Sequence, residues 1–302
     1  MIELWVILSV AAAFFQNLRS ALQKHLKGKL SNSAAAYSRF LYALPFSLLY
    51  LFAVCTITNK DIPELHPTFF LYALAGSVAQ ILFTVILLWM FSFKSFAVGT
   101  TLSKLEVVIV AILGTVVLQD GLSTMAIVAI VICATGVVGL TAGQNAIQLK
   151  QITGMIFSRD TSVGLACAFF LGASVVCFRG ASLSLQSDSF IVDAATTLAV
   201  SLLMQTLLMG FWITWREPHQ WKKLIREWRW ACVVGLAGVL TSIAWFSAFT
   251  LQNASFVRAV GTIELVFTYL FSTRIFREKI SRAEMTGMSL VVVGIILLLI
   301  AG

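Results

Sequence analysis

The chain alternates between long apolar runs and short polar interruptions. Runs of about 20 apolar residues, the length that crosses about 30 Å of hydrocarbon as a helix, occupy 2–22, 34–57, 68–92, 95–118, 121–141, 161–184, 189–214, 229–251, 254–276 and 281–301. Lipid offers a backbone no hydrogen-bond partners, so an open segment at that depth must be helical. The pattern therefore predicts ten transmembrane helices. Connections as short as Ser92-Phe93-Lys94 and Gln252-Asn253 make the helices they join antiparallel neighbours. The first run lacks the basic start and small-residue cleavage site of a secretory signal, and reads as a retained span.

Composition turns this pattern into a class. Of 302 residues, 59% are hydrophobic and 11% are charged, against about 25% charged in an ordinary soluble domain. The mean hydropathy of +0.94 cannot be hidden in one soluble core, which still needs a polar surface. Charge placement then gives orientation. Alternate connections carry Lys24, Lys27 and Lys29; Lys94; Lys150 and Arg159; Arg216, Lys222, Lys223, Arg226 and Arg229; and Arg274, Arg277, Lys279 and Arg282, whereas the opposite side carries Lys60 alone. Basic connections face the cytoplasm, so both termini are expected in the periplasm of a bacterial inner membrane. The net charge of +8 is thereby a topology signal rather than a nucleic-acid footprint. The stretch WREPHQWKKLIREWRW, 215–230, mixes tryptophan with lysine and arginine as an interfacial helix does against anionic headgroups.

Enzyme chemistry finds no foothold. Cys55, Cys133, Cys167, Cys177 and Cys232 fall inside apolar runs without CxxC spacing, and His25, His66 and His219 lie in three separate polar connections, so no metal or cofactor is expected. There is no GxxxxGK[ST], HExxH or GxSxG, which argues against ATP-driven transport by this chain and against the hydrolases those motifs mark.

An internal repeat organises the chain. Glu106 and Glu264, Asp120 and Glu278, Ser123 and Ser281, and Gly136 and Gly294 are all separated by the same 158 positions. At a shift of 160, Arg19-Ser20-Ala21 falls on Arg179-Gly180-Ala181, and the glycines of LAGSVAQ (74–80) and LAGVLTS (236–242) line up loosely. Matching acids inside apolar helices are hard to obtain by chance. The expected organisation is a first five-helix repeat over 1–145, a linker over 146–160 and a second repeat over 161–302. Five is odd, so the second copy is inverted, a recurring transporter plan with its site at the midplane between repeats.

The segment SFVRAVGTIELVFTYLFSTRIFREKISRAEMTGMSLVVVGIILL, 255–298, resembles the last helical hairpin of the drug/metabolite transporter superfamily in its EamA-like branch. Glu278, Ser281, Gly287 and Gly294 occupy the places of that signature, and TVVLQDGLSTMAIVAIVICATGVVGL, 115–140, repeats it with Asp120 as the acid. The resemblance implies an all-α integral membrane protein that transports small molecules, in a family whose members handle amino acids, sugars, nucleotide conjugates and drugs. Two features depart from the family. Glu106 and Glu264 stand in the region where members often carry a proline, and the charge count places the termini outside where many relatives keep them inside.

Charged residues inside spans are costly and normally face a cavity or a partner. Arg39, Lys94 and Asp193 lie near predicted span ends, where they are expected to snorkel to headgroups. Glu106 and Glu264 lie about eleven residues into their helices, roughly half a crossing at 1.5 Å per residue. They are expected to line the transport cavity, where they would bind a cationic group or take up protons. The alternative is a pair of packing salt bridges, Arg19 with Glu106 and Arg179 with Glu264. Lys104 and Arg258 are not repeat equivalents of each other and introduce an asymmetric basic element, suited to a substrate carboxylate or phosphate. Gln16, Asn17, Gln80, Trp89 and Trp245 are further candidates for the cavity wall.

The leading reading is a monomeric, proton-coupled secondary exporter of amphipathic or zwitterionic metabolites or drugs, working by alternating access. Exchange of organic anions at Arg19, Lys104, Arg179 and Arg258 is the alternative within transport. An intramembrane enzyme acting on lipid-linked substrates is the remote alternative from another class.

Overall fold

The computed structural model describes residues 3–26, 29–90, 103–144, 159–265 and 282–301. Among them the chain forms twelve helices and no strand. In order these are α1 (Leu4–Leu26), α2 (Asn32–Leu41), α3 (Leu44–Thr58), α4 (Pro67–Met90), α5 (Glu106–Val117), α6 (Thr124–Gln144), α7 (Arg159–Ser184), α8 (Phe190–Arg216), α9 (Gln220–Arg226), α10 (Trp228–Leu251), α11 (Ala254–Gly261) and α12 (Arg282–Ala301). Every predicted apolar run contains a helix. Among the described residues, five stretches are long and apolar enough to cross a membrane: Asn32–Thr58, Pro67–Trp89, Ser162–Ser184, Phe190–Arg216 and Trp228–Leu251. Shorter apolar helices lie at Leu4–Arg19, Glu106–Val117, Thr124–Gly139 and Met285–Ala301. Large apolar side chains such as Phe52, Val116 and Phe211 are exposed, as lipid-facing positions are.

Local chemistry sets the helix ends. The predicted span 34–57 is interrupted between Leu41 and Leu44. Pro45 has no N–H for the Leu41 carbonyl and its ring crowds that carbonyl, so the helix restarts. Ser31 and Ser123 cap α2 and α6, each accepting the amide three residues on at 3.1 Å. Asn59 and Gln119 adopt positive φ after α3 and α5, and the following amides of Lys60 and Asp120 return to the carbonyls of Cys55 and Gly114. The short basic helix α9 is tied down by the Tyr42 hydroxyl, which donates to the Leu224 carbonyl at 2.9 Å. Beside it Arg216 sits over the rings of Trp212 and Trp215.

The chain divides into two compact units, Met1–Val85 with Ser174–Gln252, and Ile86–Ala173 with Asn253–Gly302. Each unit takes segments from both halves of the chain. In the first unit α1 packs along α10, and α8 packs against α2, α3 and α10. The C-terminal part of α7 meets α4 through Phe69, Ala73, Ala181 and Leu185.

In the second unit α5 packs on α11, and α6 packs along α12 at very close range. A Cβ on Gly136 would lie 2.7 Å from the Val291 nitrogen and 2.8 Å from the Gly287 oxygen; one on Gly294 would lie 2.8 Å from the Cys133 nitrogen and 3.0 Å from the Ala129 oxygen. The two sets correspond, since 129, 133 and 136 become 287, 291 and 294 under the same shift of 158. Each helix therefore gives its partner the contacts it receives. Position 136 meets the equivalent of 129, not its own equivalent, so α6 and α12 run antiparallel.

Candidate functional site

Glu106 and Glu264 both stand beside a turn in the helical backbone. In the first copy Ser103 is helical, Lys104 and Leu105 form a turn, and α5 begins at Glu106. In the second, α11 ends at Gly261, Thr262 turns, and helix resumes at 263–265 with Glu264 inside it. The interruption is present in both copies without a proline. Tight bonds mark it: the Leu105 carbonyl accepts the Val108 amide at 3.0 Å, the Thr262 carbonyl accepts the Leu265 amide at 3.0 Å, and the Thr262 hydroxyl donates to the Ala259 carbonyl at 2.6 Å. Thr262 is the repeat equivalent of Lys104.

The charges pair across the copies. Arg258 of the second copy forms an ion pair with Glu106 of the first. Lys104 of the first copy lies 3.5 Å from the Glu264 carboxylate of the second. Lys104 is two residues before Glu106 and Arg258 six before Glu264. Neither spacing brings a base over its own glutamate, because helical neighbours are three or four apart. Arg258, Glu106 and Glu264 are buried. The four side chains surround a pocket completed by Val137, Gly261, Thr262 and Leu265, with room for about one water molecule. The quartet carries no net charge. Removing Arg258 takes the ion-pair partner from the buried Glu106 carboxylate, and loss of one partner costs about 3–5 kcal/mol in other buried pairs.

Most of the remaining described candidates lie in the first unit, with Trp89 in the second. Glu106 pairs with Arg258. Arg179 donates to the carbonyls of Phe249 and Gln252, capping the negative end of α10. The Trp245 indole donates to the Gln16 amide oxygen at 3.1 Å and its ring stacks on Phe249. The Ser174 hydroxyl donates to the Gln80 amide oxygen at 2.7 Å. Trp245 is buried, whereas Trp89 is 41% exposed at the end of α4, the position of a lipid-facing ring. Asp193, expected to snorkel, is 5% exposed in the first turn of α8. That turn is drawn into the packing of Val192 and Ala195 against Leu51 and Val54. Arg39, also expected to snorkel, donates to the Thr84 hydroxyl of α4 at 3.3 Å. Lys94, Glu278 and Ser281 lie outside the described residues.

Sequence reasoning found the glutamates and both bases but missed their crossed pairing. The available signal was the spacing itself, which denies each acid a base on its own helix face and directs it to the other copy.

An all-helical chain with several membrane-crossing helices and charged pairs at interrupted helices defines a class, the multi-pass membrane transporters. The profile of the EamA-like transporter family matches it twice, over residues 3–142 and 161–300, and the chain belongs to that family. It is thus a membrane-embedded transporter of the drug/metabolite type, with a small-molecule substrate. No curated protein sequence matches it. Among solved structures 28 chains match. One, described as "Crystal structure of protein", aligns with a TM-score of 0.69 at 12% identity over 98% of this chain and 97% of its own, a similarity of fold.

Proposed function

We propose that the chain is a secondary active exporter of small organic metabolites or drugs in a bacterial inner membrane. Its ten spans form two inverted five-helix copies that work by alternating access, with protons coupled at Glu106 and Glu264. One observation carries this reading: two acids at equivalent places, each beside a helix interruption, each neutralised by a base from the other copy. The reciprocal packing of α6 and α12 supports inversion. Interrupted helices at mid-depth are where transporters of this plan hold substrate and coupling ions.

The quartet supplies a mechanism. Protonating Glu106 removes the partner of Arg258, and protonating Glu264 removes the partner of Lys104. Each event takes an ion-pair carboxylate from a base, Arg258 in a buried place and Lys104 in a partly exposed one, so proton uptake is tied to rearrangement between the copies. A cationic solute competing for either carboxylate has the same effect. Organic solutes do not fit the water-sized pocket beside the intact pairs, so loading requires the pairs to open. Ten helices are enough to enclose such a path within one chain, which makes a monomer sufficient.

Flux in proteoliposomes under an imposed pH gradient tests the reading, with a panel of amphipathic cations, amino acids and organic anions. Solute movement driven by the gradient should occur in the native protein and lose its gradient dependence in Glu106→Gln and Glu264→Gln. Gradient-independent exchange of anions alone, unchanged in both variants, would replace proton coupling with anion exchange.

A further inference from the structure

The connection between the membrane-crossing stretches Phe190–Arg216 and Trp228–Leu251 is a fixed platform rather than a bare loop. It holds α9, and it lies at one face of the membrane because the spans on either side end there. Gln220 and Leu224, one helical turn apart, point into the protein and are buried. The Gln220 amide oxygen accepts the Ser31 amide at 3.4 Å, and the Leu224 carbonyl accepts the Tyr42 hydroxyl at 2.9 Å. Trp221 stands edge-on to Tyr37 at 5.6 Å and donates its indole N–H to the Thr214 hydroxyl at 3.1 Å. These contacts hold α9 against α2 and α8.

The outward side carries charge of one sign. Arg216, Lys222, Lys223, Arg226 and Arg229 are all exposed. The two acids within 215–230 are taken by the α1–α2 connection: Glu217 accepts from the Ser31 hydroxyl, and Glu227 pairs with Lys29 at 2.8 Å. Among the described residues none of the five cations forms an ion pair. Aromatic rings lie among them. The Arg216 guanidinium is 4.6 Å from the Trp215 ring and 5.5 Å from the Trp212 ring, and that of Arg229 is 5.7 Å from the Trp228 ring. A guanidinium lying on a ring keeps its in-plane N–H groups for oxygen acceptors. These three tryptophans and Ile225 are exposed, as apolar groups are at the boundary between headgroups and acyl chains.

We propose that α9, with the adjoining ends of α8 and α10, is a docking surface for anionic phospholipid. The five cations hold the headgroup phosphates, while the indoles and Ile225 rest on the acyl boundary. Charge complementarity selects this occupant: the basic connections are expected on the cytoplasmic side, where anionic lipid gives a negative surface potential that each nearby lysine or arginine meets. The exposed rings beside the cations favour a lipid over a soluble acidic partner, because the spans that carry those rings are themselves in the bilayer. The surface does not depend on which solute is transported or on protons at Glu106 and Glu264.

Native mass spectrometry of the full chain in detergent, titrated with phosphatidylglycerol or with phosphatidylcholine of the same acyl chains, tests the surface. The native protein should bind phosphatidylglycerol at least about tenfold more tightly than phosphatidylcholine. The triple variant Lys222→Gln, Lys223→Gln, Arg226→Gln should lose most of that preference. The charge-retaining triple Lys222→Arg, Lys223→Arg, Arg226→Lys should keep it. Arg274→Gln, Arg277→Gln, Lys279→Gln, which removes three charges from another basic connection, should keep it too. A reading that needs no variant is the melting temperature of the native protein, which phosphatidylglycerol should raise more than phosphatidylcholine does. Equal affinity of the native protein for the two lipids, or equal melting in them, overturns the proposal. So does a preference that survives the α9 glutamine triple, or one that falls equally in both glutamine triples and thus follows net charge alone.

Discussion

Glu106 and Arg258 form the pair whose energetics are most open to measurement. Both are buried, and deleting Arg258 takes the ion-pair partner from Glu106. Arg258→Met is expected to destabilise the protein by about 3–5 kcal/mol, seen as a lower melting temperature in detergent. Adding Glu106→Leu should recover most of that loss, because a buried pair replaced by apolar groups is often nearly neutral. A double-mutant cycle with no coupling would contradict the pairing. The glutamates were legible in the sequence because an acid eleven residues into an apolar run has few bland explanations. Their partners were not, since each base comes from the other half of the chain. Asp193 was misjudged for a different reason. Distance to the end of an apolar run sets how far a side chain must reach for water, but neighbouring helices decide whether it can, and the packing around Val192 holds Asp193 inside.

At the scale of elements, the contact between α6 and α12 makes a graded prediction. Gly136→Ala would place a methyl 2.7–2.9 Å from Val291, Gly287 and Leu290, whereas at Gly139 the nearest atom is 3.8 Å away. Overpacking of this kind costs about 1–3 kcal/mol. Thermal unfolding should show Gly136→Ala clearly destabilised and Gly139→Ala near native. Equal melting of the two would contradict the close approach. Helix existence was readable from apolar run length, and the interruption of span 34–57 could have been read from Pro45. The interruptions at Lys104–Leu105 and Thr262 could not, because no proline or glycine pattern announces both. They became visible only through their backbone bonding.

For the whole molecule, the repeat was legible as a shift of 158 positions, but its consequence for packing was not. The compact units follow contacts rather than chain order, each drawing helices from both copies, as expected when equivalent helices pack reciprocally. Orientation remains a prediction of the basic connections. Reporters fused to the two ends should both read as periplasmic, and a cytoplasmic signal from either end would contradict the charge count.

The central claim is that Glu106 and Glu264 exchange protons for solute. Proton release on solute addition to the purified protein, in weakly buffered detergent, tests it most directly. A solute from the amphipathic and zwitterionic panel should displace protons from the native protein, with the release lost in Glu106→Gln, Glu264→Gln or both. Solute binding with no proton release from the native protein, or with release unchanged in both variants, would contradict it and leave the glutamates as packing groups.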